Sequence, residues 1–333
     1  MNSIKQIEVI YNNRLVGRLA LTREGLCAFE YSAEWLSSGF SISPFELPLR
    51  SGVFIAKPRP FEGGFGVFDD CLPDGWGLLI LDRYLQQKGI NPRTLTLLDR
   101  LALVGSTGRG ALEFRPDNSV VTRQDFADFE KLALEAEKIL ASDDYMGEGI
   151  EEFQDRGGSP GGARPKIFVR YNDKEWLVKF RAKRDSQSIG VDEYRYSLLA
   201  KECGIEMPET RLFEGKYFGV ERFDRTLGGK LHVVSVAGLI GADYRLPSID
   251  YKHIFQVCAM LTHSVAELWK VYRLMIFNFL IDNKDDHAKN FAFIHRDGDW
   301  YFAPAYDPAM ALMVFARLQS MTVSNRRKKI FWL

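Results

Sequence analysis

From residue 7 the chain alternates apolar and polar positions in short runs broken by turns. Residues 7–11, a tight turn at Asn12-Asn13, residues 15–22, a break at Gly25 and residues 27–31 read as strands of a small twisted sheet. Residues 41–48 and Pro58-Arg59-Pro60 are extended, proline-broken connections. Leu72-Pro73-Asp74-Gly75-Trp76-Gly77 reads as a loop leading into a helix over 78–87, with a second helix over 94–103. Gly105-Ser106-Thr107-Gly108-Arg109-Gly110 then turns the chain into a strand over 111–115. This glycine cluster lacks the Gly-Lys-Ser/Thr ending of a phosphate-binding P-loop and precedes a strand, not a helix, so it reads as a turn.

Further on, the period changes to that of a helix. Phe126, Phe129, Leu132, Ala133, Ala136, Ile139 and Leu140 repeat at three and four, predicting an amphipathic helix over 123–141. Residues 143–156 are polar and acidic and are expected to be mobile. The next ten residues, Gly157-Gly158-Ser159-Pro160-Gly161-Gly162-Ala163-Arg164-Pro165-Lys166, hold four glycines and two prolines and must form a loop. A hairpin follows, residues 167–171 and 175–181 around Asn172-Asp173-Lys174. A helix over 192–203 ends at Gly204, with Asp192 as its expected N-cap and Glu193 in its first turn. After a second hairpin, 211–213 with 217–223, come helices over 251–260 and 265–281. The last is expected to face Leu268, Tyr272, Met275, Ile276, Phe279 and Leu280 inward. The mixture predicts an α+β protein.

Composition narrows the class. With 333 residues, 46% hydrophobic and 26% charged, the chain has material for roughly two domains. Forty-four basic residues balance forty-four acidic ones, so no overall charge excess recommends a nucleic acid or an anionic membrane as partner. No signal-peptide pattern opens the chain, and no window reaches the ~20 apolar residues of a spanning helix. A cytoplasmic protein without membrane contact is expected. Cys27, Cys71, Cys203 and Cys258 lie far apart with no CxxC pair, and read as small apolar residues.

The candidate chemistry lies late in the chain, in Asp282-Asn283-Lys284-Asp285-Asp286-His287-Ala288-Lys289-Asn290-Phe291 and in Ala303-Pro304-Ala305-Tyr306-Asp307 after a short hairpin. Phosphoryl transfer needs one carboxylate to meet the attacking hydroxyl, and an amide and a second carboxylate to hold magnesium on the phosphates. Asp285 suits the first role; Asn290 and Asp307 suit the second. Lys289 is placed to reach a phosphate oxygen, and His287 to order the loop through its backbone. Asp and Asn also favour turns for local reasons, so the motif alone would be weak. Upstream, however, the glycine-rich loop is followed by a strand, a turn and a strand carrying Lys179, the order of parts in a kinase amino-terminal lobe. Glu193 stands where such a lobe places the acid that pairs with the strand lysine, a position the helix dipole alone also favours. Val220-Glu221-Arg222-Phe223-Asp224-Arg225 reads as the segment connecting two lobes.

Together with Leu72 to Trp76 and Gly108 to Phe114, these stretches resemble the HipA-family serine/threonine kinases, toxins of type II toxin–antitoxin pairs, over nearly the whole chain. The resemblance implies an atypical two-lobed protein-kinase-like fold: a small α+β subdomain over 1–118, a kinase N-lobe with the glycine-rich loop over 119–224, and a mostly helical C-lobe over 225–333. It implies Asp285 as the catalytic acid–base residue, aided by Lys289, and Asn290 and Asp307 as ligands of Mg2+. It also implies Lys179, Gly161, Gly162 and Ala163 at the ATP phosphates, and Glu221 and Phe223 at the adenine. Ser159 matches a loop serine that family members autophosphorylate, a change adding about −1.5 to −2 charges beside the nucleotide phosphates. Family targets include aminoacyl-tRNA synthetases, and the usual partner is a HipB-like helix-turn-helix antitoxin, through which alone DNA is contacted. Relatives continue into further C-terminal helices, so the stop at Leu333, after the basic run Arg326-Arg327-Lys328-Lys329, is expected to shorten the C-lobe. Two other readings stay open: a kinase for small alcohols or sugars, and an inactive antitoxin-binding scaffold.

Overall fold

The computed structural model describes residues 3–120, 127–157, 162–243, 249–283 and 286–306. The opening alternation builds strands β1 (Gln6–Tyr11), β2 (Arg14–Leu21), β3 (Cys27–Tyr31), β4 (Phe54–Ile55) and β5 (Leu112–Arg115), in the antiparallel order β4-β3-β2-β1-β5. Asn12 and Asn13 turn β1 into β2 with φ of 46° and 62°, a conformation Asn tolerates better than most residues. Helices α1 (Ala33–Ser38), α2 (Gly66–Asp69), α3 (Gly75–Gln87) and α4 (Leu97–Val104) accompany this sheet. The side chain of Thr96 accepts from Asp99 N–H and that of Asp99 from Thr96 N–H, a capping box that starts α4 three residues later than the pattern predicts.

Helices α5 (Phe129–Ala141) and α6 (Gly149–Gly157) precede a four-stranded antiparallel sheet of β6 (Lys166–Tyr171), β7 (Lys174–Lys179), β8 (Thr210–Phe213) and β9 (Tyr217–Glu221), ordered β6-β7-β9-β8, with α7 (Ile189–Glu202) between β7 and β8. The remainder holds a short hairpin, β10 (Arg225–Thr226) with β11 (Gly229–Lys230), then β12 (His232–Ser235), α8 (Val236–Ile240), α9 (Tyr251–Thr262), α10 (Val265–Leu280), β13 (Ala292–Arg296) and β14 (Asp299–Phe302). The last three strands form one antiparallel sheet, β12-β13-β14.

Two large cores cross the expected subdomain boundaries. Ile7, Val9, Phe29 and Phe68 of the first sheet and its helices share a core with Val234, Leu274, Phe277 and Phe293. At the junction of α2 and α8, Gly66 packs against the Gly238 backbone so closely that a Cβ would not fit. Trp76 and Ile80 of α3 pack instead with Leu132, Phe153, Val178 and Phe180 in the core of the second sheet. Such shared apolar burial makes the first 115 residues a structural part of both lobes.

Several expectations need correcting. Residues 149–157, within the polar stretch, are helical: Ile150 and Phe153 are buried against the second sheet while Glu151 is exposed, too few apolar positions to show a period. Helix α5 starts at Phe129, because the Asp128 carboxylate accepts from Lys131 N–H and caps it there; Phe126 lies outside the described residues. In α7 the N-cap is Ser188 and Asp192 sits in the first turn, accepting from Ser188 Oγ at 2.6 Å. The inward face of α10 is also different. Val271, Leu274 and Phe277 are buried, whereas Tyr272, Ile276, Phe279 and Leu280 are exposed, Phe279 by 81%. Apolar residues all round this helix mask the period, and two buried polar groups fix its rotation. Glu267 accepts Phe302 N–H at 2.8 Å, and Asn278 donates to Tyr251 Oη at 2.9 Å.

Candidate active site

Strand β7 ends in Lys179, whose apolar neighbours on the pleat, Trp176, Val178 and Phe180, are buried. Its Nζ lies 3.5 Å from Glu193 Oε2 on α7 and 5.5 Å from the centroid of the Phe218 ring. Lys179 is 7% exposed and Glu193 8%, so the two charges are removed from water together, as burial requires. Glu193 also accepts from Arg164, whose guanidinium is held by Asp185 at 3.1 Å. Arg164, to which the sequence assigns no role, lies within the glycine-rich loop and ties it to the Lys179–Glu193 pair.

Helix α10 delivers the late Asp/Asn-rich loop. Asn283 N–H donates to Asn278 O at 2.9 Å, and Asp282 takes a positive φ of 53°, turning the chain away from the helix axis. His287 Nδ1 accepts from Lys289 N–H at 3.2 Å, ordering the short 3-10 turn Ala288–Asn290 as expected of it. Asn290 lines a small cavity with Asn278, Asn283, Asp286 and Tyr306. Lys289 is buried and its Nζ points at the first subdomain, 3.1 Å from Asp69 and 3.2 Å from Asp74. Gly162, with φ of 90°, is docked at the same place: its N–H donates to Asp74, and its carbonyl accepts Trp76 N–H at 2.9 Å. Ala163 follows as an exposed turn residue.

The connecting segment is held by charge. Asp224 accepts from Arg222 Nη2 at 2.8 Å and Nε at 3.0 Å, from Arg225 Nη1 at 2.9 Å and from Gly110 N–H at 2.8 Å. Burial pushes its carboxyl up, but the Arg222 and Arg225 charges outweigh burial and hold it far below the usual carboxylate range. Both arginines donate onward to Gly108 O, at 3.2 and 2.8 Å, so the early glycine turn grips this segment. Phe223 stacks on Tyr306 with centroids 5.6 Å apart, and the Arg109 guanidinium covers the same Tyr306 ring at 4.7 Å. The Glu221 carboxylate is turned to Lys174 at 2.8 Å, and its N–H donates to Glu209 O at 2.8 Å.

Asp285, Asp307, Ser159 and Gly161 lie outside the described residues. The described ones bring Lys179 to Glu193, Gly162 to Lys289 through Asp74, and Phe223 to Tyr306. Among the described residues, no group of three His, Cys, Asp or Glu side chains is placed to hold a metal, and no helix is long and apolar enough to cross a membrane.

Comparison with known proteins bears on this arrangement. A family model described as the HipA N-terminal domain matches residues 7–115, and one described as the HipA-like C-terminal domain matches residues 158–332. Y4dM of Sinorhizobium fredii, provisionally named a kinase, is 26% identical over 281 residues; the match covers 79% of this chain and 65% of that protein, so the chain spans just under two thirds of its length. The serine/threonine-protein kinase toxin HipA of Shewanella oneidensis is 23% identical over 343 residues, covering 90% of this chain and 74% of that one. The solved complex of Shewanella oneidensis HipA with HipB and operator DNA contains a chain that superposes with a TM-score of 0.66 at 20% identity, covering 91% of this chain and 76% of that chain. The two-lobed α+β fold expected from the sequence is thus the observed one. Since the C-terminal model alone takes in more than half of the residues, the chain belongs to the HipA family.

Proposed function

We propose that this chain is an ATP- and magnesium-dependent serine/threonine protein kinase acting as a HipA-like toxin. The observation that carries the reading is the buried Lys179–Glu193 ion pair behind a glycine-rich loop in a HipA fold. Lys179, fixed by Glu193, would contact phosphate oxygens, with the N–H groups of Gly161, Gly162 and Ala163 beside it. Asp285 would accept the proton of the attacking hydroxyl, and the carbonyl of Glu221 and the Phe223 ring would meet the adenine. Asn290 shares its cavity with Asn283 and Asp286, whose amide and carboxylate oxygens are of the hard kind magnesium prefers, which supports that ion at this end of the site; Asn290 and Asp307 would be its ligands. Magnesium, when bound, neutralises charge on the transferred phosphoryl group.

Ser159 in the glycine-rich loop would be the autophosphorylation site. The substrate class is a translation protein such as an aminoacyl-tRNA synthetase, and the partner a HipB-like helix-turn-helix antitoxin. The HipA of Shewanella oneidensis, solved with HipB and operator DNA, supports the latter. DNA would be contacted through that partner, in the cytoplasm. The working division remains 1–118, 119–224 and 225–333. Incubation with magnesium, labelled ATP and a set of purified translation proteins tests the reading. Label on protein serine or threonine, lost with Lys179→Met, is expected. Transfer only to small alcohols or sugars would contradict it.

A further inference from the structure

Asp74 belongs to the first subdomain, 88 residues from Gly162 and 215 from Lys289, yet its carboxylate meets both. One oxygen accepts Gly162 N–H from the glycine-rich loop, and the other lies 3.2 Å from Lys289 Nζ on the late loop, which Asp69 also holds at 3.1 Å. An Asp at this position, the N-cap of α3, ordinarily turns its side chain onto its own helix. Here it makes no such cap bond, and its carboxylate is given to the two loops instead. The next residue makes the approach possible. Gly75 has φ of 47°, and a Cβ on it would stand 2.5 Å from Gly162 O. Trp76 N–H then closes a second bond to that carbonyl.

We infer that Asp74 is a positioning residue that clasps the glycine-rich loop to the catalytic loop, with Gly75 as the contact that admits the loop backbone. The clasp makes the first subdomain a working part of the nucleotide site. Its consequence for catalysis rests on the kinase reading above; the clasp itself does not. Both of its bonds are charge-assisted, the kind whose loss is felt most.

The test is hydrogen exchange of the full chain, read at peptides spanning residues 162–166, in wild type, Asp74→Asn and Asp74→Ser. Serine can still cap α3 but is too short to reach either loop, so the helix is preserved. Asparagine keeps an acceptor for Gly162 N–H. Exchange about tenfold faster in Asp74→Ser, with Asp74→Asn, which keeps the acceptor but loses the charge, between it and wild type, is the expected result. Equal rates in all three proteins would overturn the clasp. In phosphotransfer assays Asp74→Ser should raise KM for ATP about tenfold with a smaller fall in kcat. A wild-type chain that transfers no phosphate removes that second readout and the kinase reading with it, while the exchange rates still decide the clasp.

Discussion

Replacing Asp224 by Ala should destabilise the whole protein, and the geometry sets how much. The carboxylate accepts four hydrogen bonds, three from the guanidinium groups of Arg222 and Arg225 and one from Gly110 N–H. The side chains of Arg222 and Arg225 are only 7% and 10% exposed, so neither cation can turn to water. Glu175 lies 3.4 and 3.5 Å from the same two arginines and would remain, leaving one anion for two buried cations. Breaking a buried pair from one side costs about 3–5 kcal/mol. Partial cover by Glu175 puts Asp224→Ala near the lower end of that range, and the double variant Asp224→Ala, Glu175→Gln beyond the upper. Urea unfolding followed by tryptophan fluorescence measures both. A loss under about 1 kcal/mol, the value of an exposed surface pair, would show that the network does not hold the connecting segment to the early glycine turn.

Phe277→Ala should cost about 3–5 kcal/mol, whereas Phe279→Ala, two residues on, should stay within about 0.5 kcal/mol in the same assay, since only the first is buried. Burial raises the Glu46 carboxyl from 4.5 to about 7, against the opposing pull of Gly66 N–H and Lys57. Its folded form therefore holds the proton more tightly than the unfolded chain. The resulting stability is complete below pH 4.5 and is lost as pH rises through about 7, an effect of about 3 kcal/mol that Glu46→Gln should remove from the pH–stability profile. Lys179→Met should weaken fluorescent-ATP binding at least tenfold while leaving the unfolding midpoint within a few degrees; unchanged binding would remove this lysine from the nucleotide site.

The hairpins were legible because their cause is local: alternation, and the pairs Asn12-Asn13 and Asn172-Asp173, which accept positive φ. The α5 face was legible for the same reason, and Leu132, Ala136 and Ile139 are buried as their spacing predicts. Helix α10 was misread because it is apolar on every side, so its rotation is decided by Glu267 and Asn278, whose partners lie 35 and 27 residues away. Helix α6 was hidden in an acidic stretch that buries only Ile150 and Phe153 among its large apolar residues. At the site, parts carried on one stretch could be put forward from the order of elements and the spacing along the chain, as Lys179 and Asn290 are. Asp74, Arg164 and Arg109 could not, because each acts on groups contributed by distant elements. For Asp74 there was one available signal, an N-cap type of residue followed by Gly-Trp-Gly in a stretch that resembles the family, but nothing in that pattern says which loop it would meet.

The central claim is tested most directly by incubating the purified protein with magnesium and labelled ATP, beside Asp285→Ala and Ser159→Ala, and mapping any phosphate by mass spectrometry. Phosphate on Ser159 of the wild type, absent from both variants and from a reaction with magnesium chelated, is the predicted result. Intact ATP binding with no phosphate on any residue of the wild type would contradict an autophosphorylating kinase and favour an antitoxin-binding scaffold.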